Sequence, residues 1–378
     1  VKSGETILTG MKMSPIDLVA CIDKVTEAID WGKKEAPSAP HKQRGKGVAI
    51  MWKAPAMPPN PGSAAIVRFN EDATVNVSIG AQDLGQGAFT VLAQMAAHAL
   101  GVPYEWVRVS VPVDTKYSPY EWQTVASRIT WSTGNAVKAA AEDARRQILE
   151  IVAGHWNEDP ADLDIKDGTV FSYRTEEELP LKGMVVYGLP NENFEGWTGG
   201  PIVGQGRFMP TYVTNLDFDT GQGTRAVVHY TVGAQAIDLE VDTETGEITV
   251  LRIASAYDVG KAINPDLIMT QIEGGAVHGM SSAFEGLRFD DDGRPLNPNL
   301  VDYRISTASD IPNEIIGAYV ETPVEDGPWG ARGVGEHVMV PTAPAMANAI
   351  YDALGIRFND LPLSAEKVFQ TLQKTQQG

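Results

Sequence analysis

One cysteine in 378 residues sets the first limit on how this chain can be stabilised. A single thiol, Cys21, cannot form an intramolecular disulfide, and it cannot supply the thiolates that hold structural zinc or an iron–sulfur cluster. The six histidines show no H-x-H or H-x-x-x-H spacing, so we expect no metal bound by protein side chains. The fold must therefore rest on its hydrophobic core.

The composition is that of a globular protein with an ordinary core and an acidic surface. Apolar residues make up 43% of the chain and charged residues 21%, as in folded rather than disordered domains. The net charge of −19 argues against nucleic acid or an anionic membrane as a partner, because both are polyanions. The sequence has neither a run of 18 apolar residues nor a basic start followed by an apolar run, so a soluble, cytoplasmic protein is expected.

Hydrophobic periodicity predicts an α+β fold in which mixed sheets are covered by helices. We predict three segments: a lead-in helix and linker over 1–45, a first subdomain over 46–190 and a second over 191–378. Within them, residues 155–225 are rich in glycine and proline and are predicted to be irregular. Helices are predicted after Ser14-Pro15, at about 88–100, 135–153, 265–283 and 341–354, and from Ser364; strands are predicted at 47–53, 64–69, 74–79, 106–111, 227–241 and 247–257.

Three glycine-containing loops precede predicted helices, and the first is residues 80–87, GAQDLGQG. Gly85, Gln86 and Gly87 would let backbone N–H groups approach an anion at a helix N-terminus, which is how many proteins bind phosphate. Thr90 stands where a dinucleotide-binding fingerprint needs its third glycine, so a Rossmann fold is disfavoured. The alternative is a tight strand-to-helix turn without a ligand.

The second loop, residues 123–134 (QTVASRITWSTG), also places small and hydroxyl residues before a helix. Its alternative interpretation is plain helix capping by Ser132 or Thr133. Two such loops in one domain favour a large, polar, phosphate-bearing ligand. The candidate contacts in this loop are Thr124, Ala126, Ser127, Arg128 and Thr130.

The third loop, residues 329–337 (WGARGVGEH), presents a carboxylate in a glycine frame. Gly333 and Gly335 are two of three glycines that precede Glu336. A carboxylate held in this way can act as a general base. It can equally be an acidic residue that is favoured at a helix start by the helix dipole.

Taken in order, these loops resemble the xanthine dehydrogenase/aldehyde oxidase family of molybdenum hydroxylases, and the resemblance covers nearly the whole chain. DLGQG (83–87) is similar to the family's E-M-G-Q-G loop, and TVASRIT (124–130) with Gly134-Asn135-Ala136 is similar to T-x-A-S-x-x-T…G-x-A. DVGKAINP (258–265), followed by Gln271 and Glu273-Gly274-Gly275, and GARGVGE (330–336), similar to G-A-K-G-x-G-E, complete the set. The matched part is the C-terminal half of the family's molybdopterin-binding subunit.

The resemblance implies a cofactor and a role for each matched residue. The cofactor is molybdopterin in its cytosine dinucleotide form, carrying molybdenum that no protein side chain ligates. Glu336 corresponds to the family's catalytic base, and His278 stands where the family usually has glutamine. The implied cofactor-binding residues are Gly85, Gln86, Gly87, Thr124, Ala126, Ser127, Arg128, Thr130, His278, Gly333 and Gly335.

The resemblance also implies partners, because the family's first-half motifs are missing here. We expect one piece of a split subunit, active with a second molybdopterin-binding subunit that carries the N-terminal half, and with iron–sulfur and FAD-containing partner subunits. The implied reaction is hydroxylation of a nicotinate- or purine-like N-heteroaromatic C–H with water-derived oxygen. Aldehyde oxidation, a nicotinamide dehydrogenase and a non-catalytic scaffold subunit are the alternatives. Substrate contacts are expected in loops 113–123 and 185–215, with Tyr117, Tyr120 and Trp122 as candidates.

Overall fold

The computed structural model describes residues 2–56, 61–190 and 195–376. Helices and strands are interspersed along the chain, as the sequence predicts. The helices are α1 (Leu18–Ala28), α2 (Ala88–Leu100), α3 (Ile129–Trp156), α4 (Met184–Tyr187), α5 (Pro265–Phe284), α6 (Thr342–Leu354) and α7 (Ala365–Gln376). The strands are β1 (Lys42–Lys53), β2 (Ser63–Phe69), β3 (Val75–Ile79), β4 (Val107–Val109), β5 (Leu163–Lys166), β6 (Thr169–Ser172), β7 (Glu178–Pro180), β8 (Leu189–Pro190), β9 (Trp197–Thr198), β10 (Val203–Phe208), β11 (Thr231–Asp242), β12 (Ile248–Asp258) and β13 (Glu314–Val320).

The first layer is a four-stranded sheet, in the order β10-β2-β3-β4, covered by α2 and α3. Its packing depends on glycine at the edge strand. A Cβ added at Gly204 or Gly206 would lie 2.0 or 2.1 Å from the carbonyl oxygens of Ala140 and Ala136 on α3. Only glycine on the strand and small residues on the helix allow the two backbones to approach so closely.

The second layer is a four-stranded sheet in the order β1-β11-β12-β13, with helices on both faces. Helix α1 covers one face, where its buried Cys21 and Val25 meet the alanines of β11 and β12. Helices α5, α6 and α7 cover the other face. Gly45 and Gly47 on β1 lie so close to α6 that a Cβ at either would be 2.2 Å from a helix carbonyl oxygen. The edge strand of each layer therefore uses the same glycine pattern to seat a helix.

The predicted α+β class with mixed sheets is confirmed by the strand pairing. β12 pairs parallel with β13 and β3 pairs parallel with β4, whereas the other strands of the two four-stranded sheets pair antiparallel. The pairing of β1 with β11, and of β2 with β10, runs across the predicted subdomain boundary at residue 190. The boundaries of the three predicted segments stay a prediction.

Two local predictions are wrong. Helix α3 begins at Ile129, six residues earlier than predicted, because Ser132 and Thr133 lie buried inside it and do not cap it. Ser132 Oγ donates to the carbonyl of Arg128, and Thr133 Oγ1 donates to Glu121. The region 155–225 is also not irregular throughout, since β5, β6 and β7 form a small antiparallel sheet.

In the described parts of the chain, no helix combines the length and the apolar character needed to cross a bilayer.

Candidate functional site

A cleft of about 470 Å³ lies where the three glycine-containing loops meet α5. Residues from all three predicted loops share its walls, although they are far apart in sequence. The predicted site residues that line it are Gly85, Gln86, Thr124, Ser127, Arg128, Thr130, His278, Gly333, Gly335 and Glu336. The geometry therefore brings together most of the residues that the motifs singled out.

Two predicted site residues, Gly87 and Ala126, sit behind the walls of the cleft. Gly87 is the N-cap residue of α2 and has φ +78°, and a Cβ there would lie 2.8 Å from the side chain of Leu267. Ala126 contributes its backbone N–H, which donates to Oε1 of Glu336 at 3.0 Å. Both residues therefore fix the conformation of their loops and do not line the cleft.

Helix α5 forms a fourth wall of the cleft. Of the predicted site residues, His278 is the one that lies on this helix. Gln271, Gly274 and Gly275 line the cleft together with His278. Their i, i+3, i+4, i+7 spacing puts them on one face of the helix, and Gln271, Gly274 and Gly275 already belong to one of the matched motifs. A Cβ at Gly275 would lie 1.9 Å from a methyl carbon of Val338, so glycine is needed for α5 to pack against the short 3-10 turn, Glu336–Met339, at the end of the third loop.

The helix start at the first loop already carries an anion, the side chain of Asp83. Its Oδ1 accepts from the N–H groups of Gly85 at 2.9 Å and Gly87 at 3.2 Å, and its Oδ2 accepts from Phe89 at 3.1 Å. A phosphate at this helix start would have to replace that carboxylate. The Gln86 side chain is also engaged within the loop, since its Oε1 accepts from Leu84 N–H and its Nε2 donates to the Gln82 carbonyl.

The second loop is held in an unusual backbone conformation against the third. Ala126 and Ser127 both have φ of +57°, a region that costs residues with a Cβ on the order of 1–2 kcal/mol. The Ser127 carbonyl oxygen lies 1.7 Å from where a Cβ of Gly333 would be, and Ser127 Oγ lies 3.2 Å from that of Gly335. The glycines at 333 and 335 therefore allow the two loops to pack in direct contact.

Arg128 is paired inside the protein and offers no free positive charge to the cleft. Its side chain is fully buried and forms an ion pair with Glu121. The guanidinium also donates to the carbonyls of Gln123 at 2.9 Å and Pro61 at 3.4 Å. Burial of a charged pair is tolerated when most of its polar atoms are hydrogen-bonded; of the guanidinium nitrogens, Nε has no hydrogen-bond partner among the described residues. The arginine thus fixes the base of the second loop.

Glu336 is the first residue of a short 3-10 turn, Glu336–Met339, and its carboxylate has two partners. Oε2 lies 2.8 Å from Nζ of Lys53, and Oε1 accepts from Ala126 N–H at 3.0 Å. Partial burial raises the pKa of Glu336, but the hydrogen bonds from Lys53 and Ala126 and the charge of Lys53 outweigh it, so the pKa is lowered. The carboxylate is therefore ionised at neutral pH.

The neighbouring His337 is buried and neutral. Its Nδ1 lies 3.3 Å from Ser127 Oγ, and its ring packs edge-on against Tyr257. Burial, with the nearby charge of Lys53, lowers the pKa of His337 to about 3. Its Nε2 has no hydrogen-bond partner among the described residues. His337 therefore contacts the second loop through Ser127 and carries no charge at neutral pH.

The aromatic candidates for substrate contact lie on the protein surface. Tyr117, Tyr120 and Trp122 are exposed, and the described residues that line the cleft do not include them. The centre of the Trp122 ring lies 5.6 Å from the guanidinium carbon of Arg128. Residues 191–194 of the second predicted substrate loop lie outside the described residues.

Among the described residues, no group of three or more His, Cys, Asp or Glu side chains could hold a metal ion. The cleft instead combines glycine walls, amide and hydroxyl groups and one ionised carboxylate beside a fixed cation. Such an arrangement can bind a polar ligand and accept a proton from it.

Comparison with known proteins gives consistent matches along the chain. A family model for the molybdopterin cofactor-binding domain matches residues 24–312. The xanthine dehydrogenase molybdenum-binding subunit of Escherichia coli O157:H7 is 30% identical over 372 residues, which cover 96% of this chain and 47% of that protein. The nicotine 6-hydroxylase large subunit of Paenarthrobacter nicotinovorans is 29% identical over 311 residues, which cover 80% of this chain and 36% of that protein.

A solved structure agrees with the sequence relatives. The aldehyde oxidoreductase from Desulfovibrio gigas matches with a TM-score of 0.78 and 26% identity, over 99% of this chain and 37% of that one. The chain thus spans less than half the length of each of these three proteins.

Proposed function

The chain belongs to the molybdopterin cofactor-binding domain family, and from this premise we propose that its cleft holds a molybdopterin cofactor and that Glu336 is the general base of a hydroxylation reaction. The family predicted from the loop motifs is confirmed by the match. The observation that carries the proposal is the convergence of all three loops on one cleft with an ionised carboxylate at its wall.

The walls of the cleft suit a large cofactor that brings its own metal ligands. A Cβ at Gly85 or Gly274 would meet no atom within 4 Å, so these glycines leave space that a ligand can fill. When bound, the cofactor supplies the two-electron oxidation and the water-derived oxygen. The residues proposed to hold it, either by lining the cleft or by shaping its loops, are Gly85, Gln86, Gly87, Thr124, Ala126, Ser127, Arg128, Thr130, His278, Gly333 and Gly335; Gly87, Ala126 and Arg128 belong to the second group.

Glu336 has the properties that a base needs in this position. It is ionised at neutral pH, it lines the cleft, and it is held by Lys53 and the Ala126 N–H. Its side chain remains 56% exposed, so a ligand in the cleft can reach it. The proposed task of Glu336 is to take a proton at a carboxylate oxygen during the oxidation.

We further propose that other polypeptide segments complete the site. The support is that this chain spans less than half of each relative described above. The proposal comprises a second molybdopterin-binding subunit, an iron–sulfur subunit and an FAD-containing subunit, assembled in the cytoplasm, with activity only in the assembly. The cytosine dinucleotide form of the cofactor belongs to the same proposal.

The proposed substrate is an N-heteroaromatic compound of the nicotinate or purine kind. The support is indirect: two relatives are named for nicotine 6-hydroxylase and xanthine dehydrogenase. The structural neighbour is named for aldehyde oxidation, so aldehydes are the second candidate.

The test is chemical analysis of the purified assembly, followed by turnover with a redox dye as electron acceptor. We expect molybdenum bound to the protein, cytosine nucleotide released by acid hydrolysis, and oxidation of a nicotinate- or purine-like compound. Turnover of aldehydes alone would favour the second candidate, and an assembly without molybdenum or tungsten would contradict the proposal.

A further inference from the structure

We propose that Lys53 is a positioning residue for Glu336: its ammonium group fixes the orientation of the carboxylate and keeps it ionised. This inference rests on the proposed role of Glu336 as base and adds a residue that no motif identified. It is carried by a long-range contact, the ion pair of 2.8 Å between the end of β1 and the start of the 3-10 turn.

The backbone of Lys53 is fixed by the sheet on which it stands. β1 pairs with β11 from Lys42 to Lys53 without a register shift, and Thr231 Oγ1 donates to the Lys53 carbonyl at 3.0 Å. Met51, two residues earlier on the same face, is buried with Val338 of the 3-10 turn. The lysine therefore extends toward Glu336 from a rigid element, which is the property that a positioning residue requires.

Lys53 also contacts the loop that supplies the other partner of Glu336. Its Nζ lies 3.4 Å from Ser127 Oγ, next to Ala126, whose N–H donates to the carboxylate. Both carboxylate oxygens are thus held from different directions, Oε2 by the lysine and Oε1 by the backbone. Loss of the lysine would leave a single hydrogen bond, about which the carboxylate could rotate.

Among the described residues, Lys53 is the basic side chain that pairs with Glu336, because the arginines of the neighbouring loops pair with other carboxylates. Arg128 from the second loop is paired with Glu121, and Arg332 from the third loop is paired with Asp258. His337 is buried and neutral, and His278 faces the cleft from α5. Among the described residues, Glu336 is the acidic side chain within 4 Å of Lys53.

Removal of that charge should therefore change how Glu336 titrates. Burial favours the protonated carboxyl, and the charge and hydrogen bond of Lys53 oppose it. In Lys53→Met, burial is opposed by the Ala126 N–H alone, so the pKa of Glu336 should rise. Lys53→Arg keeps the positive charge and should preserve most of the effect.

The test is the pH dependence of kcat/KM in the assembled enzyme, measured with the substrate that it turns over fastest in the dye assay. We expect the acidic limb to move to higher pH in Lys53→Met and to return toward the wild-type position in Lys53→Arg. The matched control is Lys42→Met, at the other end of the same strand, about 36 Å away. Lys42 is similarly exposed and also pairs with a glutamate, Glu240, so its loss should leave the limb in place.

A second readout does not depend on turnover. The ¹³C-labelled glutamate carboxyl signals of the purified protein are titrated, and the Glu336 signal is identified by its absence in Glu336→Gln. We expect this signal to titrate at higher pH in Lys53→Met than in the wild type and in Lys42→Met. An unchanged titration and an unchanged pH profile in folded Lys53→Met would overturn the inference.

These outcomes separate the inference from the proposed function. If Glu336→Gln retains turnover, Glu336 is not the base, and the proposed function fails whatever Lys53 does. If Glu336→Gln is inactive and Lys53→Met keeps the wild-type pH profile, the base stands and the role of Lys53 is refuted. If Lys53→Met does not fold, Lys53→Gln and Lys53→Arg give the same comparison of a neutral with a charged side chain.

Discussion

Nζ of Lys53 lies 2.8 Å from Oε2 of Glu336, although 283 residues separate the two in sequence. The contact joins the sheet of β1 to the 3-10 turn at the cleft, and it explains why a half-exposed carboxylate has a lowered pKa. Long-range contacts of this kind define the site.

The contact between the second and third loops predicts that Gly333→Ala destabilises the protein. The new Cβ would lie 1.7 Å from the Ser127 carbonyl oxygen, which is backbone and cannot rotate away. We expect a loss of about 1–3 kcal/mol in the free energy of unfolding, measured by urea denaturation.

Gly274→Ala is the matched control for that substitution. Gly274 also lines the cleft, but its Cβ would meet no atom within 4 Å, and alanine is favoured over glycine inside a helix. Its stability should be unchanged or slightly higher. Equal losses in the two variants would show that the contact between the loops is not what requires glycine at 333.

Asp83 should be needed both for stability and for cofactor content. Its carboxylate accepts three backbone N–H groups at the start of α2, so Asp83→Ala should cost about 0.5–2 kcal/mol of unfolding free energy. Because the same loop is proposed to hold the pterin, the molybdenum content of the assembly should fall as well.

Asp17→Ala provides the comparison for Asp83→Ala. Asp17 caps α1 by accepting from Ala20 N–H at 2.9 Å and does not line the cleft. Asp17→Ala should lower the free energy of unfolding without lowering the molybdenum content per folded protein. A normal metal content in Asp83→Ala would count against a role for the first loop in holding the cofactor.

The buried histidine His337 predicts that stability falls in mild acid. Its pKa is lowered to about 3 in the folded protein and is about 6.5 in the unfolded chain. Between these values the unfolded state binds more protons, so stability is lost as pH falls below about 6.5, by up to about 1.4 kcal/mol per pH unit. Denaturation at several pH values between 7 and 5 measures the slope.

A pair of variants assigns that slope to His337. His337→Phe removes the titrating group, so its stability should depend less steeply on pH than that of the wild type, whatever its absolute stability. His155→Asn replaces an exposed histidine and should leave the slope as it is. If His337→Phe and the wild type show the same slope, the buried histidine is not its source.

The sequence was sufficient for features that depend on local pattern. α2 was predicted at its observed bounds, because its apolar stripe is regular and Gly101 ends it with φ +74°. The three loops were identified because glycine before a helix is a local signal. The two strands predicted at 227–241 and 247–257 are likewise observed, joined by a turn in which Gly246 has φ +77°.

The sequence could not show which charges meet across the fold. Nothing near Lys53 in the chain indicates a carboxylate partner, which lies 283 residues away. Arg128 looked available to a ligand because its buried partner Glu121 lies in an irregular segment. The sequence also does not show Asp83 as the anion of its own loop, because it stands four residues before the N-cap position, Gly87, where a capping side chain is expected.

The proposed role of Glu336 as general base is tested most directly by measuring the turnover of Glu336→Gln in an assembly that retains its molybdenum. We predict a loss of about 10²–10⁴-fold in kcat, because a neutral amide cannot accept the proton. The control is Glu321→Gln, since Glu321 also accepts from a lysine, Lys261, and from a backbone N–H, both at 2.9 Å; it should keep wild-type turnover. Wild-type turnover in molybdenum-loaded Glu336→Gln would contradict the account.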